Sequence, residues 1–191
     1  MKGKITRQLL MDSLKKVGIQ QGDTVFIHSD LRPFGFPEEI TRRDEILRFY
    51  YQGIRDVIGE DGTIAVPAYN YEYARYNLPF DADTSGVSLP LGSFSQYITA
   101  LPDSIRSLNP LQSIAAIGPN AKKISGGSSL SGYGVTSPWH WLHQLNALFL
   151  FLGAPFQSMT FVHHLEQLVG VPHLYFKIFD TPILKNGKTI Q

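Results

Sequence analysis

An α/β fold with a mixed, largely parallel central sheet flanked by helices is predicted by three features of the chain. Residues 24–28 and 63–67, both rich in β-formers, are joined by one long amphipathic segment. That is the pattern of a βαβ unit with a right-handed crossover. A strongly apolar run, Ala147-Leu148-Phe149-Leu150-Phe151-Leu152, ends in Gly153-Ala154-Pro155 and reads as a buried strand. A helical segment follows, so its first turn lies at the carboxyl end of a strand, where ligands bind in α/β folds.

The elements follow in order. Residues 6–17 carry Leu9, Leu10, Leu14 and Val17 on one helical face, and Gly18 stops them. Gln21-Gly22-Asp23 turns into a central strand, Thr24-Val25-Phe26-Ile27-His28. The loop after it, Ser29-Asp30-Leu31-Arg32-Pro33-Phe34-Gly35, has the composition of one that presents backbone N–H groups to an anion. Residues 41–58 form the clearest helix, with Ile46, Leu47, Tyr50, Ile54, Val57 and Ile58 as its apolar stripe and Thr41 as its N-cap. Glu60-Asp61-Gly62 leads into the strand at 63–67.

Between residues 68 and 91 periodicity fails, and Tyr69, Tyr71, Tyr73 and Tyr76 lie among Asn70, Glu72, Arg75, Asp81 and Asp83. Long loops in compact domains are often substrate-binding, and tyrosines suit ring contacts; a solvated excursion is the rival reading. A short helix is predicted over 91–100 and a strand over 113–118. Residues 125–137, rich in Gly and Ser, read as flexible, and Pro138 opens a helix through Leu145. After the apolar strand, Thr160 is placed to cap the next helix. In the tail Leu174, Phe176 and Ile178 alternate, and Lys185-Asn186-Gly187-Lys188 signals a hairpin.

With 191 residues, 43% of them apolar, the chain reads as a single domain over 1–191 with a real core. A net charge of +1 without a basic cluster argues against nucleic acid as a partner. The absence of cysteine removes disulfides, thiolate zinc sites and a Cys nucleophile, and fits a reducing compartment. Met1-Lys2-Gly3-Lys4 leads into an amphipathic segment unlike a secretory signal, and no run approaches the ~20 apolar residues of a membrane span. A cytoplasmic protein with no membrane partner is expected; a homo-oligomer is compatible.

There is no Walker A sequence, no Gly-x-Gly-x-x-Gly and no Gly-x-Ser-x-Gly, which disfavours nucleotide hydrolases, Rossmann dehydrogenases and serine hydrolases. His163 and Glu166, spaced i, i+3 in the first turn of their helix, offer a base and a carboxylate to orient it. A zinc site needs three or four converging ligands, and His140, His143 and His173 would have to be brought in by the fold. No metal is expected.

Five blocks, in order, resemble the aminoglycoside 3-N-acetyltransferase family. Gln21-Gly22-Asp23 with Ile27-His28-Ser29-Asp30-Leu31 and Gly35 is like the family's Gly-Asp…Val-His-Ser-Ser-Leu…Gly. Gly62-Thr63-Ile64-Ala65-Val66-Pro67 is like Gly-Thr-Leu-Val-Met-Pro. Arg106-Ser107-Leu108-Asn109-Pro110 with Ser113 and Gly118 is like Arg-Ser-x-His-Pro…Ser…Gly. Tyr133-Gly134-Val135-Thr136-Ser137-Pro138 is like Gly-x-x-Ser-Pro. Thr160, His163 and Glu166 are like Thr-x-x-His-x-x-Glu.

The resemblance implies an acetyl-CoA-dependent N-acetyltransferase acting by direct transfer on an amino sugar. His163 would be the general base and Glu166 would set its tautomer or charge. His28, Ser29, Asp30, Leu31 and Gly35, with Ser107 and Ser137, would serve coenzyme A. Tyr69, Glu72, Asn109 and Thr160 would face the acceptor. Asn109 stands where the family has His, and Glu72 is the one carboxylate near the family's Asp, out of register. The chain is also expected to lack the family's C-terminal portion. Mixed charge, with Arg32, Arg42 and Arg75 opposing Glu72, Asp81 and Asp83, favours a nucleotide-linked amino sugar of surface-polysaccharide synthesis. An aminoglycoside antibiotic is the alternative acceptor; a non-catalytic binding or assembly protein and a metal hydrolase are the remaining alternatives.

Overall fold

A computed structural model describes residues 5–129, 131–175 and 177–190. Helix α1 (Arg7–Lys16) is capped by the Thr6 side chain, which accepts from Leu9 N. Strand β1 (Thr24–Ser29) is followed by α2 (Ile46–Ile58) and β2 (Thr63–Pro67). Next come α3 (Tyr71–Tyr76), β3 (Phe80–Asp81), α4 (Gly92–Thr99), β4 (Ile105–Arg106), β5 (Ile114–Ile117) and α5 (Ala121–Ser125). The remaining elements are α6 (Pro138–Gln144), β6 (Leu148–Leu152), α7 (Val162–Val169), β7 (Ile183–Lys185) and β8 (Lys188–Thr189).

The central sheet has the order β4-β5-β2-β1-β6. β1 pairs in parallel with β2 and with β6, whereas β5 pairs antiparallel with both β2 and β4. The sheet is mixed, and the β1-α2-β2 unit predicted from the sequence is present. Strand periodicity of two divides the side chains between two layers. Val25, Ile27, Ile64 and Val66 pack with Leu10, Leu14, Ile54, Ile58, Phe94 and Ile98 of α1, α2 and α4. Phe26, Ala65, Ile114 and Ala116 face the other way, onto Ile124, Trp139 and Leu142 of α5 and α6. Three-layer packing therefore leaves the carboxyl ends of β1 and β6 free to carry a site.

Several local expectations are corrected. Thr41 does not cap α2, because a 3₁₀ turn at Arg43–Glu45 leads into the helix instead. Thr160 does not cap α7 with its side chain; its hydroxyl turns back to Ser158 O at 3.3 Å. The stretch after Ala68 holds a helix, α3, because Asn70 caps it by accepting from Tyr73 N at 2.9 Å. Six residues are too few to display a helical period. Residues 125–137 are partly packed, with Ser125 and Ser137 buried.

β6 lies at the edge of the sheet, and Leu148 is 38% exposed; continuous apolarity was a poor guide to its depth. The tail alternation produces no strand among the described residues, and Phe176 lies outside them. The Asn-Gly signal does make the β7–β8 hairpin, with Asn186 at φ 51° and Gly187 at φ 69°.

A small second sheet, β3-β7-β8, joins the tyrosine loop to the tail. Arg106 of β4 ties that loop to the central sheet. Its guanidinium is buried, donates to the carbonyls of Ala68, Ser85 and Gly86, and lies 4.7 Å from the centroid of the Phe80 ring. Burial holds its pKa down to about 10, so the group stays charged at neutral pH. Arg106→Met should leave these acceptors short of a donor, at roughly 1–3 kcal/mol for each group left unsatisfied. We expect a loss of about 3 kcal/mol in urea unfolding; a loss below about 1 kcal/mol would mean the loop holds itself.

Candidate active site

The loops after β1 and β6 meet at the carboxyl edge of the sheet. Asp30 N donates to Leu152 O at 2.9 Å, and Gly153 sits at φ 74° with its α-carbon against the Asp30 carbonyl. A Cβ there would lie 2.1 Å from Asp30 O, so only glycine permits both the conformation and the approach. Above this junction opens a polar cleft of about 470 Å³. Ser29, Asp30, Leu31 and Arg32 line one wall, Gly92 and Ser93 at the start of α4 another, and Pro155 and Ser158 a third. The Asp30 carboxylate accepts from Arg32 Nε at 2.8 Å and Nη2 at 2.7 Å, and these bonds lower its pKa.

From Ser158 the chain runs directly into α7. The helical spacing brings His163 Nδ1 to 2.8 Å from Glu166 Oε2. An ionised carboxylate only accepts hydrogen bonds, so His163 donates from Nδ1 and keeps its lone pair on Nε2. This is the orientation a carboxylate imposes on a histidine base. The bond from His163 lowers the Glu166 pKa, and His173 adds to it with Nε2 3.5 Å from Glu166 Oε1. The His163 side chain is 48% exposed, which leaves it within reach of a substrate.

A tyrosine cluster stands beside this pair. The Tyr133 ring lies 5.4 Å from the His163 ring, and Tyr69 and Tyr71 are 6.0 Å apart. Tyr69, Tyr71 and Tyr133 pack in one apolar cluster with Phe161 at the start of α7, which links the tyrosine loop to that helix. Burial pushes the Tyr133 phenol up to about 12, with Gln112 as its opposing polar neighbour. Burial raises Tyr69 as well, with Thr160 as its opposing polar neighbour. Both phenols keep their protons at neutral pH, and the Tyr69 hydroxyl is buried with no hydrogen-bond partner among the described residues.

The other residues singled out from the sequence are distributed differently. Glu72, in the first turn of α3, accepts from Ser88 Oγ at 2.5 Å, which lowers its pKa. Asn109 Oδ1 accepts from Gln112 N at 3.2 Å. Gly35 ends a 3₁₀ turn and is not among the residues lining the cleft. Ser107 and Ser137 are buried and hold the chain: Ser107 accepts from Ile114 N, and Ser137 caps α6 by accepting from His140 N. His28 is buried, its ring stacked on Phe151 at 5.3 Å.

Sequence reasoning assigned Tyr133 and Ser158 no site role and weighed His173 only as a zinc ligand, since each comes near His163, Glu166 or the cleft by tertiary folding. Among the described residues no group of three or more His, Asp or Glu side chains is arranged to hold a metal ion. Nor is any described helix long and apolar enough to cross a membrane.

The family model described as aminoglycoside 3-N-acetyltransferase matches residues 26–191. The chain belongs to this family. As an aminoglycoside 3-N-acetyltransferase family member it is by class an acyltransferase. Aminoglycoside N(3)-acetyltransferase III of Salmonella sp is 26% identical over 201 residues, covering 96% of this chain and 68% of the relative. The structure of AAC-IIIb in a binary complex with CoASH matches with a TM-score of 0.84 at 25% identity, over 98% of this chain and 74% of that one. A histidine-to-alanine variant of aminoglycoside acetyltransferase AAC(3)-IVa, in complex with a gentamicin, matches with a TM-score of 0.82 at 27% identity. That match covers 100% of this chain and 69% of the other. These likenesses agree with the mixed α/β fold.

Burial lowers the His28 pKa to about 4, against 6.5 when unperturbed. The folded state therefore favours the neutral ring, while the unfolded chain takes up the proton first as pH falls. The stability contribution is complete above about pH 6.5 and is lost between there and pH 4, on the order of 3 kcal/mol in all. His28→Leu should remove that slope. Urea midpoints at pH 6.5 and 4.5 check it: equal acid losses in parent and variant would place the proton uptake elsewhere.

Proposed function

We propose that this family member transfers the acetyl group of acetyl-CoA directly to the 3-amino group of an aminoglycoside, with His163 as general base. The observation that carries the reading is the 2.8 Å bond from His163 Nδ1 to Glu166, which leaves Nε2 as the free base at the mouth of the site. The amine nitrogen attacks the thioester carbonyl carbon; the N–C bond forms, the C–S bond breaks, and the thiolate leaves. His163 Nε2 takes the amine proton and returns it to the thiolate. Glu166 steadies the imidazolium that forms in between.

The cleft walled by Ser29, Asp30, Leu31 and Ser158 is assigned to the pantetheine and phosphates of the donor. It connects to the base through one short segment, 158–163, which suits a donor thioester delivered to α7. His28, Ser107 and Ser137 act from beneath, by packing and by capping, and Gly35 by shaping the turn. The acceptor is assigned to the side formed by Tyr69, Tyr71, Tyr133 and Glu72, with Thr160 at its floor. Asn109 acts there indirectly, through Gln112. A single acetyltransferase-like unit contains both sides.

An aminoglycoside is a polycation, and the carboxylates of Glu72 and Glu166 suit it. Asp81 and Asp83 are engaged elsewhere, accepting from Gly187 N and Asn186 N of the hairpin. The names of the relatives support an aminoglycoside over a nucleotide-linked amino sugar.

His163→Ala should keep its affinity for acetyl-CoA and lose roughly 10²–10⁴-fold in turnover, the usual share of general-base catalysis. Thiol release with an aminoglycoside acceptor reads the rate, and calorimetry with acetyl-CoA alone reads the binding. Undiminished turnover in His163→Ala would remove the base from the mechanism. Glu72→Ala should raise KM for the aminoglycoside and leave that for acetyl-CoA unchanged; equal changes in both would make the tyrosine loop structural.

A further inference from the structure

Tyr133 is held between two consecutive histidines of α7. His163 meets its ring at 5.4 Å, on the open side of the helix. His164, about 100° further round, points inward and is fully buried. Its Nδ1 lies 2.6 Å from the backbone carbonyl of the same Tyr133, and its Nε2 lies 3.2 Å from His143 Nδ1. We propose that His164 is a positioning residue, anchoring the Tyr133 backbone so that the Tyr133 ring stays packed against His163.

The chemistry of the groups fixes the proton positions. A carbonyl only accepts, so His164 carries its proton on Nδ1. In the neutral ring Nε2 is then an acceptor, and the proton between the two imidazoles belongs to His143 Nδ1. Burial lowers the His164 pKa; the bond to Tyr133 opposes it, and His143 and His140 add to the lowering, so the neutral ring is the resting form. The ring of Phe161 packs on His164 at 5.4 Å and helps hold it in place.

The bond spans residues 133 and 164 and is the direct polar tie from the Tyr133 backbone to α7. The Tyr133 side chain therefore depends for its place on a group that itself stays out of the cleft. Gln167 of α7 also holds this segment, donating from Nε2 to Ser131 Oγ at 3.1 Å, but it acts two residues upstream. Without the His164 bond the Tyr133 backbone itself is untied and its ring can move off the base. Small displacements of this kind are costly in an active site; an error of about 1 Å is worth up to about a hundredfold in rate.

The test separates the donor at Nδ1 from mere filling of the space. Asparagine places its amide nitrogen near the position of Nδ1, and glutamine near that of Nε2. His164→Asn should keep the bond to Tyr133 O, whereas His164→Gln and His164→Leu should lose it. The first readout is the His163 Cε1–H resonance in ¹H–¹³C spectra, which the Tyr133 ring current shifts. It should stay at the parent position in His164→Asn. In His164→Gln and His164→Leu it should move to the position found in Tyr133→Leu. The second readout is kcat, expected to fall roughly tenfold to a hundredfold in Gln and Leu and much less in Asn, with acetyl-CoA affinity unchanged.

Should His164→Leu fail to fold, the Asn and Gln pair decides the matter. Equal resonance shifts in Asn and Gln, or no shift in either, would overturn the anchor. The inference rests on His163 as the base, but the resonance reports ring placement without any turnover. Full turnover in His163→Ala, alongside the expected His163 resonance pattern in the His164 variants, would therefore count against the base and not against the anchor.

Discussion

One buried cation organises the tyrosine-rich loop of this protein. Arg106 leaves the short edge strand β4 and places its guanidinium among the carbonyls of Ala68, Ser85 and Gly86, at the two ends of the tyrosine loop. A buried charge is costly unless its hydrogen bonds are met, and a long loop has unmet carbonyls to offer. Each requirement answers the other. Ala68 N donates to Ser113 O and Asn70 N to Pro110 O, which completes the seam between the loop and the sheet. With both ends fixed, Asn70 can cap α3, and Tyr69 and Tyr71 are carried toward Tyr133 and His163.

The cleft at the carboxyl edge of the sheet depends on a different constraint, the close approach of two strand ends. β1 and β6 are parallel neighbours, so their carboxyl-terminal loops emerge side by side. Gly153 lets them touch, and the cleft opens above the contact. The chain then has only the residues from Ala154 to Phe161 in which to pass from that cleft to the first turn of α7. The cleft, the His163–Glu166 pair and the tyrosine cluster thus lie in sequence along one short path. In the proposed mechanism this path would bring a thioester and an amine to one imidazole.

Much of this was legible in the sequence, for reasons specific to each element. The βαβ unit showed because α2 is long enough to display its stripe and its strands are rich in β-formers. His163 and Glu166 showed because their spacing alone sets a shared face. The β7–β8 hairpin showed because Asn-Gly meets the turn's demand for positive φ at both positions. Other features had no local signal. The Arg106 clamp joins residues about 20 and 38 positions apart in the chain. Tyr133 reaches His163, and His164 reaches Tyr133, only through tertiary packing. β6 misled because a continuous apolar run looks the same at an edge as in the middle of a sheet. Ser107 and Ser137 fell within family-like blocks, yet their hydroxyls serve the backbone from buried positions.

The central claim is that one amine, at position 3 of an aminoglycoside, attacks acetyl-CoA directly. Thiol release measured with a matched pair of aminoglycosides, one bearing the 3-amino group and one lacking it, tests this most directly. The account predicts release with the first compound, a product acetylated at that nitrogen, and no release above background with the second. Equal release with both, or a protein that becomes acetylated and passes the group on, would contradict it.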